Sequence, residues 1–176
     1  LPTIPEYYSI GFSSDRNLGG EIVIHEKENV VQSVRVDIVG LDHPSYSPKD
    51  WQAFTIQEIL TQYGPPSAIR LVFQYPHEKS NNPPSISVDY ILYYDDLNCT
   101  VIYSSRLINT NEENKYHLCP GGNEFRSLRT YYGKYPDKPQ KNIGWDIKDV
   151  LGLDVNGFSK LIYENKCVDI SQGAIR

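Results

Sequence analysis

The sequence predicts an α+β fold in which short pairs of helices pack an antiparallel sheet. Between residues 47 and 75 the apolar spacing changes from the 3.6-residue period of a helix to the 2-residue period of a strand. Residues 19–39 and 86–104 alternate apolar and polar side chains around short polar turns, which is typical of β-hairpins. Two capped apolar segments after residue 143 predict a pair of helices. We therefore expect a helix–helix–three-strand module with an N-terminal hairpin and a C-terminal helix pair.

The length and composition fit a single domain over residues 1–176. We divide it into an N-terminal hairpin (1–43), a helix–helix–sheet module (44–105), an irregular or strand connection (106–142) and C-terminal helices (143–176). The net charge of -5 disfavours nucleic acid and anionic membrane surfaces as partners. No apolar run reaches the roughly 18 residues that a membrane-spanning helix needs.

The N-terminal hairpin follows from its turn residues. Residues 1–14 carry Pro2 and Pro5 and predict an extended lead-in that ends in an edge strand. Gly19 begins a strand, residues 27–29 form a turn, and residues 31–39 return. We expect one apolar and one partly wet face in this hairpin.

The stretch from Ser47 predicts two helix starts and one strand. Ser47 is an N-cap with proline at the first helical position, and Thr55 with Glu58 matches a capping box. The apolar residues that follow at i, i+3, i+4 and i+7 are Ile56, Ile59, Leu60 and Tyr63. Gly64 supplies a left-handed stop before two prolines, and a strand follows from Ala68.

The remaining chain is predicted in the same way. Residues 76–85 form a long loop, and residues 86–94 and 99–104 form the second hairpin. Residues 106–116 are polar and predicted to be irregular, whereas residues 125–132 predict a further strand. Two helices are expected at the end of the chain. The first contains Trp145 and ends at Gly152, and the second begins at Asp154.

The cysteines predict one disulfide and one free thiol. Cys99, Cys119 and Cys167 lie too far apart for a compact zinc motif. A Cys119–Cys167 bond would tie the C-terminal helices to the sheet and contribute about 3–4 kcal/mol. The alternative is a soft-metal site formed by these two cysteines and His117. We favour the disulfide and expect neither a metal nor a cofactor.

Two further motifs have a chemical and a structural interpretation. The run from Tyr93 to Asp96 matches the Y-x-D-D carboxylate motif of polymerase palms, but its composition also suits a hairpin turn, which we favour. Tyr131, Tyr132 and Tyr135 with Lys134 are candidates for an interaction patch; strand packing is the alternative. No nucleophile elbow, dinucleotide fingerprint or phosphate loop is present in the sequence.

The run from Trp51 through Gly64, together with Tyr93 and Tyr94, resembles an uncharacterised group of secreted or lipid-anchored proteins of Chloroflexi-type bacteria. The Cys-Pro turn at Cys119, the Gly-Leu pair at Gly152, Phe158 and Cys167 match that group in order. More distantly, the helix–helix–strand order looks like the module of SmpA/OmlA-type outer-membrane lipoproteins and of β-lactamase-inhibitor protein. These resemblances imply assembly or inhibition through a sheet face and supply no catalytic residues.

The function we predict is a non-enzymatic module that binds another protein, such as an accessory subunit of a larger cell-envelope assembly. The chain opens at Leu1 without methionine, which we interpret as removal of a signal or lipid-anchoring segment and hence as a secreted or envelope-associated location. One alternative is a small hydrolase or metal-dependent enzyme using His117, Asp95 or Asp96. The other is a glycan- or peptidoglycan-binding module that uses surface tyrosines.

Overall fold

Eleven strands and three short helices make up the described part of the chain. The structure is a computed structural model that describes residues 6–13, 19–39, 54–74, 86–106, 108–109, 115–121, 125–134, 138–171 and 173. The strands are β1 (Glu6–Ser13), β2 (Gly19–Lys27), β3 (Val30–Val39), β4 (Ala68–Gln74), β5 (Ser87–Tyr94), β6 (Cys99–Arg106), β7 (Ile108–Asn109), β8 (Lys115–Leu118), β9 (Phe125–Gly133), β10 (Trp145–Asp146) and β11 (Val168–Ser171). The helices are α1 (Ile56–Tyr63), α2 (Ile147–Leu151) and α3 (Val155–Tyr163). None of these helices is long and apolar enough to cross a membrane.

Eight of the strands form one antiparallel sheet in the order β1-β2-β3-β9-β6-β5-β4-β10. All four predicted sub-modules contribute strands to this sheet. Strands β11, β8 and β7 form a second, smaller sheet. The large sheet is therefore assembled mainly from hairpins, with β9 inserted between the two hairpin units.

The predicted N-terminal hairpin and edge strand are confirmed. Strand β1 pairs with β2 from Glu6–Glu26 to Ser13–Gly19, and it is the outermost strand of the sheet. The turn between β2 and β3 has positive φ at Glu28 (57°) and Asn29 (61°), the backbone of a tight hairpin. We call β1, β2 and β3 together the N-terminal arm.

Strand β9 is the element that joins the N-terminal arm to the second hairpin. It pairs with β3 on one side and with β6 on the other. At its end Gly133 has φ 76°, and a Cβ there would lie 2.3 Å from the carbonyl oxygen of Gln32. Only glycine allows the two strands to approach this closely.

Helix α1 begins and ends where the sequence predicts. The Thr55 hydroxyl accepts a hydrogen bond from the Glu58 N–H at 3.2 Å, and the Gly64 N–H donates to the Leu60 carbonyl at 2.9 Å. Ile56, Ile59 and Leu60 are buried, whereas Tyr63, the fourth residue of the predicted apolar face, is exposed. The predicted start at Ser47, Trp51 and the loop at 76–85 lie outside the described residues.

The main core lies between the helices and one face of the large sheet, which we call the helix face. Because successive strand residues point to opposite faces, register identifies the residues of this face. Leu71, Tyr90, Tyr103 and Leu128 form one cross-strand row of it. Phe158 of α3 is fully buried against Tyr90 in the same cluster. The opposite face, which we call the second face, carries a smaller cluster of five buried residues: Val23, Ile91, Tyr93, Ile102 and Tyr131.

The predicted fold class, α+β with helix pairs packing the sheet, is wrong. The described residues are mostly antiparallel sheet, with 55% strand and 20% helix. Helix α2 has only five residues, because Trp145 pairs with Leu71 in β10 and the helix begins after Asp146. Helix α1 packs against α3, from the other end of the chain. The predicted helix caps at Thr55 and Asp154 are present, but the helices that they begin are short. Most of the described chain is sheet, which includes pairing between strands that are distant in sequence.

Part of the segment that we expected to be irregular forms strands. Strand β8 pairs with β11, and the smaller sheet buries Leu118 and Ile170. Polar residues beside Leu118 and Ile170 obscure the apolar–polar alternation that would indicate a strand. The two paired strands, β8 and β11, also lie about fifty residues apart in sequence. A local reading of residues 106–116 therefore misses β7 and the start of β8.

Candidate functional site

The N-terminal arm carries more exposed large apolar side chains than any other part of the described chain. Its exposed large apolar side chains are Tyr7, Tyr8, Ile10, Val30, Val31 and Val39. Ile10 is 58% exposed and Tyr7 is 52% exposed. Tyr8 and Ile10 lie on the same face of β1, and exposed apolar side chains that share a face mark interaction surfaces more often than scattered single residues do.

Within the part of the chain that the structure describes, the outer edge of β1 from Tyr7 to Ser13 lacks the usual protection of a sheet edge. Proteins block such edges with charged side chains, prolines or bulges, because unpaired backbone groups recruit other strands. From Tyr7 to Ser13 the strand has no charged residue and no proline. The register shift in this arm lies between β2 and β3, at His25 and Glu26, and leaves the pairing of β1 regular. Among the described strands, β1 pairs with β2 alone.

The apolar side chains of the arm continue the helix face outwards. Tyr8, Ile24 and Val34 form one cross-strand row. Ile10, Ile22 and Val36 form the next row, and Val36 packs against the main core. An apolar surface therefore runs from the core to the edge at β1.

Charged side chains brace the arm on the second face. Arg35 lies 3.3 Å from a Glu21 carboxylate oxygen and 2.8 Å from an Asp37 oxygen. Arg129 of β9 also forms an ion pair with Asp37. The Asp37 side chain is 13% exposed and that of Arg129 is 50% exposed, so solvent screens this pair in part. The network connects β2, β3 and β9 and holds the arm in line with the rest of the sheet.

A polar cleft of about 220 Å³ lies beside this network on the second face. Its floor and walls include Asp37, Gln74, Asp89, Ile102, Ser104, Ser127 and Arg129. Gln74 donates to one oxygen of Asp89 at 2.6 Å, and the other oxygen is buried beside Ser104 without a hydrogen bond of normal geometry in the described structure. Burial raises the pKa of Asp89, against the opposing effects of Ser104, Gln74 and Arg129. The cleft thus offers both a hydrogen-bond donor and acceptors to a small polar group.

The structure joins Cys119 to Cys167 in a disulfide, the pair that the sequence predicts. Cys99 is a buried free cysteine, and burial raises the pKa of its thiol to about 11. His117 lies beside the disulfide, and its Nδ1 is 2.7 Å from a carboxylate oxygen of Asp169. The disulfide is compatible with an extracytoplasmic location.

The structure does not bring the predicted tyrosine patch together. Tyr131 is 2% exposed and belongs to the second-face cluster, whereas Tyr132 points to the helix face and is partly exposed. Adjacent strand residues point in opposite directions, so these two rings cannot form one surface. Lys134 is exposed beyond the strand, and Tyr135 lies outside the described residues.

The Tyr93–Asp96 motif lies at a hairpin turn. Tyr93 and Tyr94 end β5 on opposite faces and are both buried, and Asp95 forms an ion pair with Lys141. The Tyr93 hydroxyl donates to the Gln140 carbonyl at 2.9 Å. Among the described residues, Asp95 and Asp96 belong to no group of three potential metal ligands.

Sequence reasoning missed the arm as a surface, although it predicted the edge strand. The absence of charge and proline from residues 7–13 is the signal that was available. Of the histidines, His25 stacks on Tyr7 with ring centroids 4.9 Å apart. His43 and His77 lie outside the described residues.

Comparison with known proteins gives no match. No family model matches the chain, and neither a curated protein nor a solved structure is significantly similar to it.

Proposed function

We propose that this chain is a non-enzymatic protein-binding or assembly module outside the cytoplasm, and that it binds its partner along the edge of β1. The observation that carries this proposal is an edge strand that has no charged residue and no proline from Tyr7 to Ser13 and whose Tyr7, Tyr8 and Ile10 side chains are exposed. In strand addition, backbone hydrogen bonds provide affinity and alternate side chains provide specificity.

The length of β1 suits such an interaction. Eight residues at about 3.4 Å each extend for about 27 Å, enough for one complete partner strand. Tyr8 and Ile10 lie on the helix face, so the partner strand is expected to place apolar side chains at alternate positions on that side. On the other side, Tyr7 and Ser9 favour aromatic or polar partners.

The ion pairs that connect the arm to the sheet favour a binding edge that is ordered before a partner binds. Arg35 pairs with Glu21 of β2 and with Asp37 of β3, and Arg129 of β9 also pairs with Asp37, so the ion pairs connect three neighbouring strands. A pre-ordered edge loses less conformational entropy on binding than a segment that must first fold. The proposed location is secreted or cell-envelope associated, and the proposed role is that of an accessory subunit in a larger assembly.

Site-specific photo-crosslinking in the native source tests the binding edge. A photoreactive residue at position 10 should crosslink one partner in stoichiometric amount, while the same residue at Leu97, which is 50% exposed in the β5–β6 turn, should not. Partner peptides recovered at position 10 should come from an extended segment with alternating apolar residues. Equal, diffuse crosslinking from both positions would contradict the proposed edge.

A further inference from the structure

Four residues at the disulfide, which we call the square, lie on or next to the paired strands β8 and β11: His117, Cys119, Cys167 and Asp169. Register places His117 opposite Asp169 and Leu118 opposite Val168. Continuing that register by one residue places Cys119 opposite Cys167, the two residues of the disulfide. Because residues two apart in a strand share a face, His117, Cys119, Cys167 and Asp169 all point to the same side.

These side chains have the chemistry of a soft-metal site. The ligand atoms of His117, Cys119 and Cys167 all lie within 4.8 Å of one another. In a tetrahedral zinc site with bonds of about 2.0–2.3 Å, ligand atoms are roughly 3.3–3.8 Å apart. Small side-chain rotations are therefore enough to bring the three groups around one ion once the sulfur atoms are separate.

Asp169 supplies the support that such a histidine needs. Metal-binding histidines commonly donate the N–H of their other ring nitrogen to a carboxylate, which fixes the ring and strengthens its basicity. The 2.7 Å contact between His117 Nδ1 and Asp169 is of this kind, and with Nδ1 engaged by the carboxylate, Nε2 is the nitrogen that would bind the ion. His117 is part-exposed, and Cys167 and Asp169 are exposed, so reductant and metal can both reach the square.

We propose that reduction of the Cys119–Cys167 disulfide converts this square into a binding site for a thiophilic divalent cation such as Zn²⁺. A dithiol reductant supplies two electrons and two protons, becomes a cyclic disulfide and leaves two thiols. The cation then displaces the two thiol protons, forms two metal–sulfur bonds and accepts the lone pair of His117 Nε2. The strand pair is held by a covalent bond in one state and by a metal ion in the other.

Metal titration of the full-length chain tests this proposal. The chain is reduced with a phosphine, which is oxidised to its oxide, and is then titrated anaerobically with Co²⁺ or Zn²⁺. The reduced chain should bind one ion per molecule and, with Co²⁺, show a thiolate-to-cobalt charge-transfer band. The oxidised chain should bind none at that site.

Variants separate this site from adventitious binding. His117→Ala should abolish stoichiometric binding, and Asp169→Asn should weaken it by roughly 10–100-fold. Cys99→Ala is the matched control, because Cys99 is the cysteine outside the square, and it should bind as the wild type does. Absence of stoichiometric binding, or binding that persists after both Cys119 and Cys167 are replaced by serine, would overturn the proposal.

Unfolding on reduction would provide a second readout. In that case Zn²⁺ should restore the far-ultraviolet circular dichroism of the wild type and not that of the double serine variant. A wild-type signal that does not return with Zn²⁺ would also overturn the proposal.

Discussion

The double substitution Cys119→Ala/Cys167→Ala should destabilise the fold by about 4 kcal/mol. The disulfide closes a segment with a sequence separation of 48 residues. In the chain-entropy model, a loop of this size removes roughly 14 cal/mol/K from the unfolded ensemble, or about 4 kcal/mol at room temperature. Cys167 is exposed and Cys119 partly exposed, so little packing energy is lost besides the covalent constraint.

Urea unfolding followed by fluorescence measures this effect. With a denaturant slope of about 2 kcal/mol/M, the midpoint should fall by about 2 M. Amide exchange should accelerate in β8 and β11, since the bond adjoins their pairing. Reduced wild-type chain in the absence of metal is the control and should match the variant. A loss below about 1 kcal/mol would refute the argument that loop closure dominates this bond.

Three other predictions concern the core, the cleft and the free cysteine. Phe158→Ala should lower the free energy of unfolding in urea by about 3–5 kcal/mol because Phe158 is fully buried. Tyr163→Ala, on the exposed side of the same helix, should lower it by less than about 1 kcal/mol. Similar losses for the two variants would contradict the assigned core. Burial raises the folded-state pKa of Asp89 above that of the unfolded chain, so the wild type should lose stability as pH rises from about 4 through that raised pKa. Asp89→Asn should lack this loss when unfolding is measured across that range, and an unchanged pH profile would contradict the assignment. Cys99, with a thiol pKa of about 11 and 2% exposure, should resist alkylation at pH 8 until the chain unfolds; equal rates in the folded and unfolded states would contradict its burial.

Features with a local physical cause could be predicted from the sequence. The cap at Thr55 and the stop at Gly64 each depend on neighbouring backbone groups, and both are present. Asp154 caps α3 by accepting from the Gly157 N–H at 2.7 Å. The turn at Glu28 and Asn29 likewise needs only its flanking strands.

Features that depend on distant partners could not be predicted in the same way. Tyr116 is a strand residue because Ile170 pairs with it, and nothing near residue 116 indicates that partner. Strand β9 separates two hairpins that are each complete in sequence. The predicted fold class is wrong for this reason, because long-range strand pairing, and not local helix propensity, determines how much of the chain is sheet.

The candidate binding surface shows the same division. The strand at residues 6–13 and the absence of charge from residues 7–13 are visible in the sequence. Whether Ile10 is covered depends on β1 being outermost, which only the strand order establishes. The Cys119–Cys167 pair was predictable as a constraint, but the square with His117 and Asp169 requires the register of β8 and β11.

Isolation of the tagged chain from its native source, with and without Ile10→Lys, tests the central claim most directly. Ile10 is 58% exposed, so the substitution should change folding stability by only about 0.5 kcal/mol while placing a charge on the proposed edge. We predict a stoichiometric complex for the wild type and for the control Leu97→Lys, and a monomer for Ile10→Lys. A wild-type chain that migrates as a lone monomer, or a complex that survives Ile10→Lys, would contradict binding through β1.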